Sequence, residues 1–247
     1  MSSFLIDFIK DQELDFIGLQ ETIKKDYSQA FFRKIDPLNR FDWKWSASVG
    51  RVGGILGGFS LSRFKILDTV ASRFYVKTIL MDLKLQMKWA LVIIYGVAQE
   101  CDKEEFLADL GLVCGDQTMP LLIGGDFNII RFASEKNKAW RPSRWSDTFN
   151  SIINTYELRE LDMDGGQFTW SNNQKNPTLE KLDRFLMSKS WEMIFPLTTV
   201  HKLSRDVSDH CPIILDTMKG RTQKSKDFRF DKRWLKEESF MMRVSKI

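Results

Sequence analysis

Two histidines and three cysteines are all that 247 residues hold of the side chains zinc prefers. Cys101, Cys114 and Cys211 are odd in number and form neither a CxxC pair nor any ligand-like spacing, so they give no disulfide framework and argue against structural zinc. The pattern suits a reducing compartment. No apolar run approaches the roughly 20 residues of a membrane span, and no basic stretch followed by an uninterrupted apolar one opens the chain. The chain therefore reads as soluble and intracellular, with no membrane partner. GxGxxG and Walker-type loops are missing, as is any repeat period, which removes the nucleotide-cradling and solenoid classes and leaves no sign of a small-molecule cofactor.

Charge of one sign is also scarce. The 37 Lys and Arg exceed the 33 Asp and Glu by 4, too little to establish a nucleic-acid partner. The excess gathers from Lys219 to Lys236, "KGRTQKSKDFRFDKRWLK", where a solvated tail and a phosphate-contacting tail both fit. What the chain does have is apolar mass: 43% hydrophobic residues with 19 Phe and 8 Trp, enough to build a core without staples.

Along the chain, Phe4, Leu5, Phe8 and Ile9 share a helical face, and "DFIGLQET" follows as a short buried strand ending in polar residues. "VGRVGGILGGFSL" sets five glycines around an apolar strand. Residues 79 to 89 alternate apolar and polar side chains and predict a strand, with "WALVIIYG" as its neighbour. Helices are predicted from Lys103 to Cys114 and from Trp145 to Tyr156, and strands at "PLLIGG", "QFTWSN", "VHKLSR" and "PIIL". Several strands follow one another with no helix between them. That mixture predicts an α/β, four-layered sandwich with two mostly antiparallel sheets, not a doubly wound fold. The folded domain is expected over residues 1–216, with a basic linker or tail over 217–247.

Polar clusters recur where predicted strands end: Gln20, Glu21 and Thr22; Tyr95; Asp126 and Asn128; Asp209 and His210. Strand ends fix the backbone while facing solvent, which suits catalytic groups. Each residue has a plainer reading. Asp126 and Asn128 fit an Asx turn, Tyr95 a core aromatic, Glu21 a helix start, and Asp183 beside Arg184 a surface ion pair. The aromatics of "FTW" read as core.

In order along the chain, "LQET", "YG", "GGDFN", "KLDRFL" and "SDHCPI" resemble the endonuclease/exonuclease/phosphatase superfamily. Between them, "GRVGGIL", "GGDFNIIRFASEKN", "GGQFTWSNNQ" and "LSRDVSDHCPIIL" are similar to the apurinic-type endonuclease domain of plant LINE non-LTR retrotransposons. The resemblance spans about residues 4–216. It implies a DNase I-like fold, hydrolysis of DNA phosphodiesters with Mg²⁺ (Mn²⁺ as a substitute), a monomer, and a nuclear location. By the same resemblance Glu21 and Asp209 are metal ligands and Asp126 handles the attacking water. Asn128 and His210 contact the phosphoryl group, Asp183 orients His210, and Tyr95 meets the phosphate or leaving group. The family also opens with a strand carrying an Asn, as in "WNxRG". Met1 to Asp11 contains no Asn, so that first strand is expected to be missing and the activity reduced. A non-catalytic remnant that binds nucleic acid weakly, and a phosphatase acting on a small phosphoester, are the alternative readings.

Overall fold

A computed structural model describes residues 5–6, 8–9, 13–48, 53–116, 118–205 and 208–217. The tail expected over 217–247 lies, apart from Thr217, outside the described residues, as does Phe4 of the opening helix. Leu5, Ile6, Phe8 and Ile9 are helical.

Six strands form the central sheet: β4 (Phe64–Ala71), β5 (Tyr75–Asp82), β6 (Met87–Tyr95), β7 (Leu121–Asp126), β8 (Arg159–Glu160) and β12 (Asp183–Met187). Their spatial order is β4-β5-β6-β7-β12-β8, antiparallel throughout except for the parallel pair β6 and β7. A parallel pair needs a crossover, and helix α2 (Lys103–Gly115) supplies it. α2 turns Phe106, Leu107, Leu110, Val113 and Cys114 inward at helical spacing. It packs with α3 (Arg144–Thr155) over Val92, Ile94, Leu121 and Ile123 on one face of the sheet. α3 starts at a capping box between Ser143 and Ser146, which satisfies backbone donors that would otherwise be orphaned.

Two three-stranded sheets contribute to the core on the opposite face. One is β1 (Phe16–Leu19), β3 (Ile55–Ser60) and β2 (Phe41–Ser46), in the order β1-β3-β2; the other is β14 (Ile213–Asp216), β13 (Thr199–Lys202) and β9 (Met163–Asp164), in the order β14-β13-β9. Ile55, Phe59, Leu80, Leu91, Ile93, Leu122, Phe185 and Val200 form the core between these layers. A further apolar layer joins Ile9, Tyr27 and Ile35 of helix α1 (Gln29–Ile35) to Phe41, Trp43 and Leu56. Helices, sheet, sheet and helix stack as the predicted four-layered α/β sandwich. The second sheet layer is in two parts among the described residues: β1 pairs with β3 and β14 with β13, each on one side.

One predicted strand needs correction. The alternation over residues 79–89 runs through a hairpin turn, and β5 ends at Asp82 while β6 begins at Met87. Asp82 explains the break. Its fully buried carboxylate accepts the Lys84 and Leu85 N–H groups at 2.9 Å each and pairs with Arg63 at 2.7 Å. A buried carboxylate satisfied in this way outweighs the weak period-2 signal of the partly exposed Leu83 and Leu85. Helix α1 and strands β2 and β4 were not evident in the sequence.

Candidate active site

β6 and β7 end side by side with Tyr95 opposite Asp126, and β12 begins at the same level with Asp183 opposite Asp126. Directly paired residues project to the same face, so Tyr95, Asp126 and Asp183 make one transverse row at the end of the sheet. This is what "LLIGGD" builds. Gly125 has φ of +141°, and a Cβ there would overlap the Ile94 carbonyl and sit 2.9 Å from Gln20 Nε2. Gly96 is needed for a similar reason: its N–H donates to Asp126 O at 2.6 Å, and a Cβ would run into the backbone of Phe127.

Beyond the strand, Phe127 is fully buried and packs on Phe149 of α3, ring centres 5.1 Å apart, which anchors the loop. Asn128 then turns back on Asp126. Its backbone N–H donates to Oδ1 at 2.8 Å, which is an Asx turn, while Nδ2 donates to Asp126 Oδ2 at 2.6 Å and to Gly96 O at 2.9 Å. The turn and the candidate site are the same feature. Asn128 adopts φ of +50°, a left-handed conformation that Asn tolerates and that the surrounding bonds hold. Both Nδ2 protons are committed, so in this arrangement Asn128 acts first on Asp126.

His210 arrives from the opposite sheet layer. Its backbone forms a bridge with Trp170 of β10 (Trp170–Ser171), Ser171 N–H donates to Asp209 O at 3.0 Å, and Cys211 N–H donates to Thr169 O at 2.7 Å. The Thr169 hydroxyl accepts the Leu182 and Asp183 N–H groups at 3.0 Å each. One fully buried threonine therefore ties the His210 segment and the start of β12 together. His210 Nδ1 lies 2.8 Å from Asp183 Oδ2, and its Nε2 is 4.0 Å from Asp126 Oδ2.

Glu21 and Asp209, the two residues assigned to metal by resemblance, sit differently. Glu21 Oε1 accepts the Tyr95 hydroxyl at 2.8 Å, which brings it to the row from the end of β1. Asp209 Oδ2 accepts Trp170 Nε1 at 2.9 Å, and its Oδ1 accepts Ser208 at 3.3 Å. Neither belongs to the group whose ligand atoms converge: among the described residues that group is Asp126, Asp183 and His210, all within 4.8 Å of one another. Arg184 does not form the surface pair that its sequence neighbour suggested. It is buried and pairs with Glu135 and Glu160. Thr169 and Trp170 hold parts of this candidate site in place, which the sequence reading missed. The fragment "FTW" contains both, but only pairing with residues 180 and 210 reveals what they hold.

Electrostatics follow from burial and from this crowding. Burial pushes the Asp126 carboxyl up, the Asp183 charge pushes it further, and His210 pulls the other way. For His210, burial disfavours the charge, but the hydrogen bond and charge of Asp183, with Asp126 and Asp209 behind it, prevail and raise it to about 9. Burial, then the bond to Glu21, keeps Tyr95 a neutral phenol. Burial raises Asp209, and the Trp170 bond, the His210 charge and the bonds from the backbone and Ser208 together outweigh it to leave that carboxylate below its usual range. The end of the sheet thus sets an imidazolium beside two buried acidic side chains, one of them, Asp126, with its carboxyl pushed up. Such a set can hold a hard divalent cation through its oxygen donors, take a proton from water, and bind a phosphoryl oxygen through the imidazolium.

The endonuclease/exonuclease/phosphatase family model matches residues 2–210. Among curated proteins nothing matches. Solved structures share the fold. The endonuclease domain of TRAS1, a telomere-specific non-LTR retrotransposon, is 14% identical over 90% of this chain and 93% of its own, with a TM-score of 0.65. An endonuclease/exonuclease/phosphatase from Bacteroides vulgatus is 15% identical over 87% of this chain and 88% of its own, at 0.59. TDP2 from C. elegans is 15% identical over 86% of this chain and 67% of its own, at 0.56.

Proposed function

The chain belongs to the endonuclease/exonuclease/phosphatase family, and from that premise we propose that it is a divalent-metal-dependent phosphodiester hydrolase acting on DNA, an endonuclease of the LINE type. The observation that carries this reading is the convergence of Asp126, Asp183 and His210 at the end of the Tyr95–Asp126–Asp183 row. The sequence motifs between the site residues, and the fold shared with a retrotransposon endonuclease, favour DNA over a small phosphoester. With a DNA substrate, this reading has the protein work in the nucleus.

The donor set fits Mg²⁺, with Mn²⁺ as a substitute. Carboxylate oxygens of Glu21, Asp126 and Asp183 would hold the ion, with the His210 imidazolium left outside its donor set, and Asp209 would add negative charge nearby. When bound, such an ion polarises phosphoryl oxygens and makes water a better nucleophile. The chain's own groups do the rest. Asp126, oriented by both nitrogens of Asn128, accepts the proton of the attacking water as its oxygen bonds to phosphorus. The imidazolium of His210, fixed by Asp183, faces the charge that builds on the phosphoryl oxygens. Tyr95, still protonated, donates to the phosphate or to the alkoxide that departs when the P–O bond breaks.

The test is a panel of one DNA duplex, one phosphorylated sugar and one phosphorylated lipid headgroup, each with Mg²⁺. Cleavage of the duplex is expected. Phosphate release from a monoester with the duplex left intact would overturn the DNA reading.

A further inference from the structure

Arg184 stands one residue from Asp183 on β12, so the two side chains leave opposite faces of the central sheet. Asp183 faces His210. Arg184 faces α3, with its guanidinium 5.7 Å from the Phe149 ring and its side chain fully buried. A buried guanidinium needs partners for its donors. Nη1 donates to Glu135 Oε1 at 2.9 Å and Glu160 Oε2 at 3.1 Å, and Nη2 donates to Glu135 Oε2 at 3.1 Å, Lys181 O at 2.7 Å and Ile129 O at 3.0 Å.

These partners are not scattered. Ile129 directly follows Asn128, and Glu135 closes the same loop by accepting the Arg131 N–H at 2.7 Å. Arg131 in turn pairs with Glu160 and donates to Asn150 of α3 at 2.7 Å. Buried Glu135 and half-buried Glu160 are thus shared by Arg131, Lys181 and Arg184 in a network under the loop that carries Asn128. A left-handed Asn persists only where its surroundings over-determine it, and the bond to Ile129 O is the constraint that comes from beneath.

We propose that Arg184 is a positioning residue for hydrolysis: through Ile129 O and Glu135 it fixes the loop that holds Asn128 against Asp126, and through β12 it ties that loop to the Asp183 and His210 pair. This rests on the hydrolase reading above. It extends the machinery to the helix-facing side of the sheet, with Glu135 as its second member.

The variants are Arg184→Met, which keeps the stem and removes the donors; Arg184→Lys, which keeps charge; and Glu135→Gln. The control is Arg63→Gln, which breaks a buried ion pair with Asp82 at the Met87 end of β6, roughly 26 Å from Tyr95 at ~3.3 Å per residue. Duplex cleavage with Mg²⁺ is measured well below each melting temperature. Arg184→Met is expected to lower kcat on the order of 100-fold with KM within about twofold, Glu135→Gln and Arg184→Lys to fall between, and the control to keep wild-type kcat. Amide exchange at Arg131 and the Asn128 side-chain NMR signals are read without substrate. Both are expected to change in Arg184→Met and Glu135→Gln. Unchanged signals, or a control that loses as much kcat as Arg184→Met, would overturn the proposal. If the wild type cuts nothing, the hydrolase reading fails, while the exchange and NMR arm still decides whether Arg184 positions the loop. If Arg184→Met does not fold, Glu135→Gln decides it in the same way.

Discussion

His210 Nε2 stands 4.0 Å from Asp126 Oδ2, too far for a hydrogen bond, while the other ring nitrogen is held by Asp183 at 2.8 Å. The imidazole is fixed by one edge and presents the other to a carboxylate it does not satisfy. A water entering between them would complete both, and a phosphoryl oxygen there would accept from the imidazolium. The predictions below start from that gap.

Asp183→Asn removes the charge, and weakens the hydrogen bond, that hold His210 above its ordinary value. In the metal-free protein, NMR titration of the two histidines should place the wild-type His210 near 9 and the variant lower by about one unit or more. Titration at the wild-type position in Asp183→Asn would show that the pair does not set the charge. kcat should fall in the same variant.

The same shift sets a pH dependence of stability. A histidine raised in the folded state contributes stability that is complete below its unfolded value near 6.5 and lost as pH rises through about 9. Asp126, also raised, contributes in the same sense. The melting temperature of the metal-free protein should therefore fall between about pH 6.5 and 9, and His210→Gln should flatten part of that slope. A wild-type curve that is flat or rises across this window would contradict the assignment.

Asn128→Ala deletes the side-chain bonds to Asp126 Oδ2 and to Gly96 O and leaves the backbone bond to Asp126 in place. Duplex cleavage should lose about 10²-fold in kcat with the fold retained. A loss confined to KM would mean that Asn128 binds substrate without orienting the base.

Gly96→Ala places a methyl group against the Phe127 backbone, which cannot yield as a side chain could. Urea unfolding should show a loss of about 1–3 kcal/mol, since the strain falls on two strand ends at once. An unchanged midpoint would mean that the close approach of Gly96 to Phe127 is not required.

Much of the candidate site was legible because its polar side chains lie at or near strand ends, where a local pattern stops abruptly. "GGDFN" and "SDHCPI" mark such stops, and the structure brings Asp126 and His210 from them to within 4.0 Å. What was illegible depends on pairing between distant segments. Arg184 looked like a surface neighbour of Asp183 because one chain position does not tell which face is buried; Glu135, 49 residues away, decides that. Trp170 read as core although it engages Asp209, and Thr169, which ties the His210 segment to β12, drew no reading of its own. The long alternation at residues 79–89 misled because a buried Asp82 can stabilise a turn inside a strand-like pattern. The order of layers followed from composition and strand spacing, whereas sheet order, with β12 beside β7, did not.

The most direct measurement is conversion of supercoiled plasmid DNA to nicked circles by the purified chain, run with Mg²⁺, with Mg²⁺ plus EDTA, and with the Asp126→Asn variant. Nicking by the wild type alone, stopped by EDTA and reduced about 10³-fold in the variant, is the expected result. Nicking that persists in Asp126→Asn or in EDTA, or its absence from the Mg²⁺-loaded wild type, would contradict the assignment of this site to metal-dependent DNA cleavage.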